Sequence, residues 1–395
     1  MRFTRSLPYR PALVAATLFL LAMPYADIGA QRPPRDRTVW PRGPEPARIQ
    51  YVGTLASERD IGANISRFAK IRFSITGEKA TLLAILRRPH DIFVDPQSRW
   101  WVTDMGRRQI LRFDPNNRSA RVVGASASDD STLATPLGLT GDARGFIYIA
   151  DGMRHRVVVL NAAGIPVRFI GEGVLLNPVD VALDELRGRL YVCDSFLHQV
   201  VVFNLRGEVI GRLGRNVAGV EALSEAIRRI DLAPTTHSGV PQRVDLAHSK
   251  PQRGPKDIDD NRGSASGEFR YPSFIALAPN GHLFVSDVMN FRIQEFDGAG
   301  VFIRSIGEIG DIPGTFTRPK GLAVDSDGNL FVADAAFNNI QVFNSKGELL
   351  MAFPDRKSAD GQLALPEGVY IDASDRIMVA DSFNGRVQLY LRLRP

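Results

Sequence analysis

Short apolar runs alternate with polar turns along most of the chain, and the alternation repeats. Each unit opens on Pro, enters an apolar run, turns, enters a second run that ends in Asp, and continues into a third rich in Val, Ile and Phe. The first copy reads PHDIFVD at 89–95, WWVTD at 100–104 and QILRFD at 109–114. Later copies open with PLGL at 136–139, PVDVALD at 178–184, PSFIALAPNG at 272–281, PKGLAVD at 319–325 and PEGVYID at 366–372. Their second runs end in Asp151, Asp194, Asp287, Asp334 and Asp381, the counterparts of Asp104. These Asp residues recur every 43 to 47 positions, apart from a gap of 93 before Asp287 that amounts to one period plus an insertion. Runs of β-branched and aromatic residues bounded by Gly, Pro, Asp and Asn are strands. Four such strands in each period of about 40–50 residues predict the blades of an all-β propeller, here with six blades.

Blades one to five each run on into a fourth strand, as in VRFIG at 167–171 and FIRSIG at 302–307. The sixth has only three, the last at Val387 to Leu391. A bare strand edge invites aggregation, so another segment is expected to cover it. Residues 47–55, ARIQYVGTL, have strand character and are predicted to add to the last blade and close the ring. Truncation up to Pro46 should then be tolerated, whereas truncation up to Ser57 should open the ring.

The domain reading follows. Residues 1–30 carry Arg2, Arg5 and Arg10, an apolar run from Ala12 to Met23 and a small-residue end at Ala30, which reads as a signal peptide and predicts export to the periplasm or cell exterior. No membrane span is expected after its removal. Residues 31–46 are read as a flexible linker and 47–395 as the propeller, with an insertion at 215–266 between blades three and four. Helices are predicted at Ala218 to Ile230 and around Ile65, Phe68, Ile71 and Ile75. Residues 231–267 are patternless, and limited proteolysis is expected to cut there first.

Composition changes this picture little. Apolar residues make up 44% of the chain, enough for a globular core. The single Cys193 excludes an intrachain disulfide and reads as a small core residue. Of the net charge of +6, the first 30 residues contribute +2, so the mature chain is only modestly basic. Nucleic acid is not the expected partner of an exported protein of that charge. The arginines around blade one, Arg87, Arg88, Arg107 and Arg108, suit an acidic partner.

The stretch RPKGLAVDSDGNLFVADAAFNNIQVFNSKGELL at 318–350 resembles the NHL repeat, as do PEGVYID and VADSFNGRVQLY in blade six and PHDIFVD in blade one. The resemblance covers residues 86 to 391 and implies a six-bladed β-propeller. It implies no single function, because that family includes enzymes, RNA binders and protein-binding scaffolds. The amidating lyases of this fold hold zinc with three His residues, each following a repeat Pro. Here those positions are His90, Leu137, Val179, Ser273, Lys320 and Glu367, with one His. Their catalytic Arg follows the repeat Asp, where this chain has Met105, Gly152, Ser195, Val288, Ala335 and Ser382. Calcium-dependent lactonase-like propellers need converging Glu, Asn and Asp ligands. Glu367 with Asp180 or Asp91 offers part of such a set, and Lys320 opposes a cation. Asp91 and Asp180 are otherwise expected to bond a turn at the strand start, and the repeat Asp residues to cap the turns that follow them.

No serine-nucleophile elbow, phosphate loop or Cys/His cluster appears in the sequence, so no cofactor or metal is expected. The reading is an exported binding or scaffold propeller for a protein, peptide or glycan. The alternative is a hydrolase or lyase with a site at the channel mouth. The residues expected to gather there are His90, Ser273, Lys320 and Glu367, with Asp91 and Asp180 beside them. Lys320 and Glu367, from adjacent blades, are expected to pair or to orient a polar ligand.

Overall fold

The computed structural model describes residues 38–42, 45–62, 84–123, 133–214, 262–355 and 360–394. Six antiparallel sheets surround a central channel, each opening with a Pro-led inner strand: Pro89–Val94, Pro136–Gly141, Pro178–Asp184, Pro272–Leu277, Pro319–Val324 and Pro366–Ile371. Neighbouring inner strands pack side by side and the last packs on the first, which closes a six-bladed propeller. Both faces of each sheet are covered by its neighbours. The core is accordingly divided into six apolar clusters, one at each blade junction.

The ring closes as the strand pattern predicts. Ile49–Leu55 pairs antiparallel with Arg386–Arg392, from Ile49 opposite Arg392 to Leu55 opposite Val387. The two chain ends thereby share one sheet. The flexible-linker expectation for 31–46 needs correcting at its C-terminal part. Val39–Trp40 forms a fifth strand on that sheet, with Trp40 opposite Ile49. The Trp40 ring is 2% exposed and lies 5.9 Å from both the Phe353 and the Tyr390 rings. Burial of one large aromatic explains the order. Two residues carry no periodicity, so the sequence pattern could not show it.

Asp104, Asp194 and Asp334 cap the turns that follow them, as expected, whereas Asp151 and Asp287 accept no backbone N–H from theirs and bond the chain entering the blade. Each repeat Asp ends a second strand opposite the Pro that opens the first, as in Pro89 opposite Asp104. Asp104 accepts from the N–H groups of Arg87, Arg88 and Arg107 at 2.6–3.1 Å. Asp194 accepts from Leu176, Asn177, Phe196 and Leu197 at 2.6–3.1 Å. Asp104 and Asp194 thus tie the chain entering a blade to the turn leaving its second strand, satisfying backbone donors that burial would strand. Cys193 is fully buried in Arg189–Asp194, and burial pushes its thiol up.

The signal peptide, the two predicted helices and most of the 215–266 insertion lie outside the described residues. Among the described residues no helix is long and apolar enough to cross a membrane.

Candidate functional site

The inner strands begin at one end of the channel, and the second residue of each stands at that mouth. The mouth is divided. Blades four, five, six and one supply Ser273, Lys320, Glu367 and His90, a continuous polar arc, while blades two and three supply Leu137 and Val179. The Lys320 Nζ lies 3.2 Å from Glu367 Oε2, so the pairing expected from sequence is formed. The same oxygen is 3.9 Å from His90 Nδ1. The His90 ring stacks on Phe274 of blade four, centroids 5.1 Å apart at 27°. That stack joins opposite blades and floors the mouth, making it a dish.

Several groups in the dish are buried without partners. The His90 side chain is 8% exposed, and both its ring nitrogens lack a hydrogen bond. Ser273 Oγ is likewise without one, whereas Glu367 Oε2 has its ion pair with Lys320. Burial holds the His90 imidazole down at about 4, opposed by Glu367 and reinforced by Lys320 and Arg88. At neutral pH it is uncharged, with one nitrogen donating and the other accepting. Buried polar atoms are normally bonded, so the two nitrogens of His90 and the hydroxyl of Ser273 offer a ligand three bonding positions in one dish.

Asp91 and Asp180 occupy the third position of their strands, one step deeper. The expectation that they bond a local turn needs correction. Asp91 Oδ2 accepts from Leu139 N–H of blade two at 3.0 Å, and Asp180 Oδ2 from Ile275 N–H of blade four at 2.8 Å. Each carboxylate therefore staples its blade to the next. Glycine makes room for them on the other side. A Cβ on Gly368 would lie 2.2 Å from Asp91 Oδ1, and one on Gly138 would lie 1.9 Å from Asp180 Oδ1. Burial pushes the Asp91 carboxyl up to about 7 and raises that of Asp180 well above the usual range, the charge of Asp91 adding to the latter.

Below the stack the channel holds a cavity of about 240 Å³. Asp91, Asp180 and Phe274 line its inner end, and residues such as Ile92, Leu322 and Val369 its walls. The structure thus brings His90, Ser273, Lys320 and Glu367 to the mouth and sets Asp91 and Asp180 beneath them. Phe274 was legible only as an apolar residue near the mouth, not as its floor. No group of three or more His, Cys, Asp or Glu side chains placed to hold a metal ion occurs among the described residues.

Comparisons with known proteins agree with this architecture. The NHL repeat model matches residues 269–296 and 316–343, within blades four and five. A protein of unknown function from Bacteroides thetaiotaomicron is 15% identical, with 78% of this chain and 70% of that one covered at a TM-score of 0.53. A gluconolactonase from Xanthomonas campestris is 15% identical over 78% of this chain and 87% of its own, at 0.50. A streptogramin B lyase is 13% identical over 78% and 85%, at 0.49. At such identities the likeness speaks for the fold and not for an activity. Two NHL repeats lie at residues 269–296 and 316–343, and the six sheets and the ring they close make this chain a six-bladed β-propeller.

Proposed function

We propose that this propeller is an exported binding module that recognises a protein, peptide or glycan partner at the channel mouth. The observation that carries the reading is the set of unpartnered buried atoms on His90 and Ser273. A folded chain leaves such groups unbonded at a cost of about 1–3 kcal/mol each, and a ligand that bonds them recovers it. Lys320 adds a cationic donor, and Leu137 and Val179 give the ligand an apolar wall. The dish is set in a ring of inner strands, so its side chains are held by the scaffold rather than by loops.

The test is capture of partners from an envelope extract by the immobilised protein and by the Lys320→Ala/Glu367→Ala variant. The variant should fold normally and lose the captured partner. Equal capture by both forms would move recognition away from the dish.

A second reading, a propeller hydrolase or lyase, draws on the uncharged His90 beside Ser273 and Glu367. Its support is the free Nε2, which could take a proton from a bound substrate. Turnover of ester, lactone or glycoside substrates that is lost in His90→Gln would favour it.

A further inference from the structure

The turns that surround the dish carry one sign of charge. Two sets of residues frame it: the two preceding each inner-strand Pro, and the four following each repeat Asp. Together they contain seven arginines, Arg87, Arg88, Arg107, Arg108, Arg154, Arg270 and Arg318, and not one Asp or Glu. Arg87, Arg88, Arg108, Arg270 and Arg318 are exposed. The repeat Asp carboxylates beneath them are buried and occupied by backbone N–H groups. Acidic residues of the interblade connections, Glu172, Glu268, Glu308, Asp311 and Asp360 among them, come earlier in those segments, so the arginine excess belongs to the residues next to the inner strands; Glu172 is paired with Arg156 at 2.8 Å.

The same turns expose large apolar side chains. Met153, Phe196, Met289 and Phe383, each second after a repeat Asp, are 63%, 49%, 42% and 73% exposed. Leu365 stands beside Phe383 at 41%. Arginine, methionine and aromatic residues with few acids are the composition of a protein-binding surface. Methionine adapts to varied apolar side chains, whereas stacking of nucleotide bases needs aromatic planes, which only Phe196 and Phe383 offer among these exposed residues.

We infer that the partner is an acidic polypeptide segment with interspersed apolar residues. Its carboxylates meet the arginine ring, its apolar side chains lie on Met153, Phe196, Met289 and Phe383, and a polar side chain enters the dish. This rests on the mouth-binding reading above and adds the chemistry of the ligand.

The experiment is selection of a displayed random 12-residue peptide library on the full chain. Selected sequences are then measured as synthetic peptides by fluorescence anisotropy. The expected outcome is enrichment of Asp and Glu with Leu, Ile or Phe. Affinity should fall as NaCl rises, and by about tenfold or more in Arg88→Glu/Arg270→Glu/Arg318→Glu. A circular dichroism melt of that variant, unchanged from the parent, confirms that it folds. Enrichment without acidic bias, affinity untouched by the three reversals, or no enrichment at all would overturn the inference. So would a single-stranded oligonucleotide of matched charge binding more tightly than the selected peptides. Peptides lacking acidic bias that still lose binding in Lys320→Ala/Glu367→Ala would overturn the acidic class alone and leave the mouth-binding reading standing.

Discussion

The residues just before each inner-strand Pro and just after each repeat Asp carry seven arginines and no acid, whereas the turns at the opposite end mix both signs and pair them locally. There Asp95 meets Arg99 at 2.6 Å, Asp142 meets Arg144 at 3.0 Å, Asp184 meets Arg187 at 2.9 Å and Asp372 meets Arg376 at 2.6 Å. Arg392 reaches Asp325 at 3.1 Å and also pairs with Asp327. Both faces come from one repeat, so the difference is not a product of blade geometry. A face neutralised by its own neighbours is built to be solvated. A rim rich in arginine and exposed apolar groups around a central dish is built to be covered.

Both faces exist only while the ring is closed, so the largest effect should come from the clasp. Removing residues up to Ser57 deletes Ile49–Leu55 and bares the edge of Arg386–Arg392. Aggregation or loss of the cooperative melt is expected by light scattering and circular dichroism. Truncation up to Pro46 removes Trp40, which fills the junction of blades five and six, and should destabilise the ring by about 3–5 kcal/mol. Equal melting of this form and the parent would show that the fifth strand adds nothing.

Buried polar groups separate into two kinds, and substitution should separate them too. Asp194 accepts four backbone N–H groups, so Asp194→Ala strands them all and should cost about 3–5 kcal/mol in denaturant unfolding. His90 has no hydrogen bond to lose. Its replacement by Gln should cost less than half as much.

Two of the three titrating groups near the mouth, Asp91 and His90, should act with opposite sign. Asp91 holds its proton up to about pH 7 when folded but releases it near 4 when unfolded. The native state therefore binds more protons across that window, and this contribution to stability is full below pH 4 and is lost as pH rises toward 7. His90 is the reverse. Its folded value of about 4 lies below the unfolded 6.5, so its burial costs stability as pH falls from 6.5 to 4. Each contribution is of order 2–3 kcal/mol. Relative to the parent, Asp91→Asn should gain stability on going from pH 4.5 to 7, and His90→Gln should lose it. Parallel curves for parent and variants in urea unfolding at the two pH values would refute both.

The fold was legible because the period is long and the strand pattern strict. The Pro, the Asp and the apolar runs recur in register, and the missing fourth strand of blade six pointed to 47–55. The mouth residues were legible by the same register, since the position after each Pro is fixed. Their state was not. That His90 stacks across the channel on Phe274 and keeps both nitrogens unbonded depends on the width of the ring, which no local pattern encodes. The interblade bonds of Asp91 and Asp180 were missed for a related reason, because they join residues 48 and 95 positions apart. Gly at the third position of the inner strand before each Asp, Gly368 for Asp91 and Gly138 for Asp180, was the signal that could have found them. Sequence showed the arginines of blade one, and only the ring assembled them with Arg154, Arg270 and Arg318 into one face.

The smallest effects on stability should be the most telling for function. The Lys320–Glu367 pair at 3.2 Å is about one-fifth exposed, and an ion pair so placed contributes at most about 1 kcal/mol. Arg376 and Asp372 on the opposite face form a comparable pair at 2.6 Å. Alanine at both members of either pair should therefore shift unfolding by at most about 1 kcal/mol. Partner capture should divide them. It should be abolished by Lys320→Ala/Glu367→Ala, which removes a charged donor and a charged acceptor from the dish, and unaffected by Asp372→Ala/Arg376→Ala, whose residues stand at the opposite end of the ring. Loss of capture in both double variants would mean that general surface charge decides binding. Retention in both would place the contact elsewhere than at the mouth.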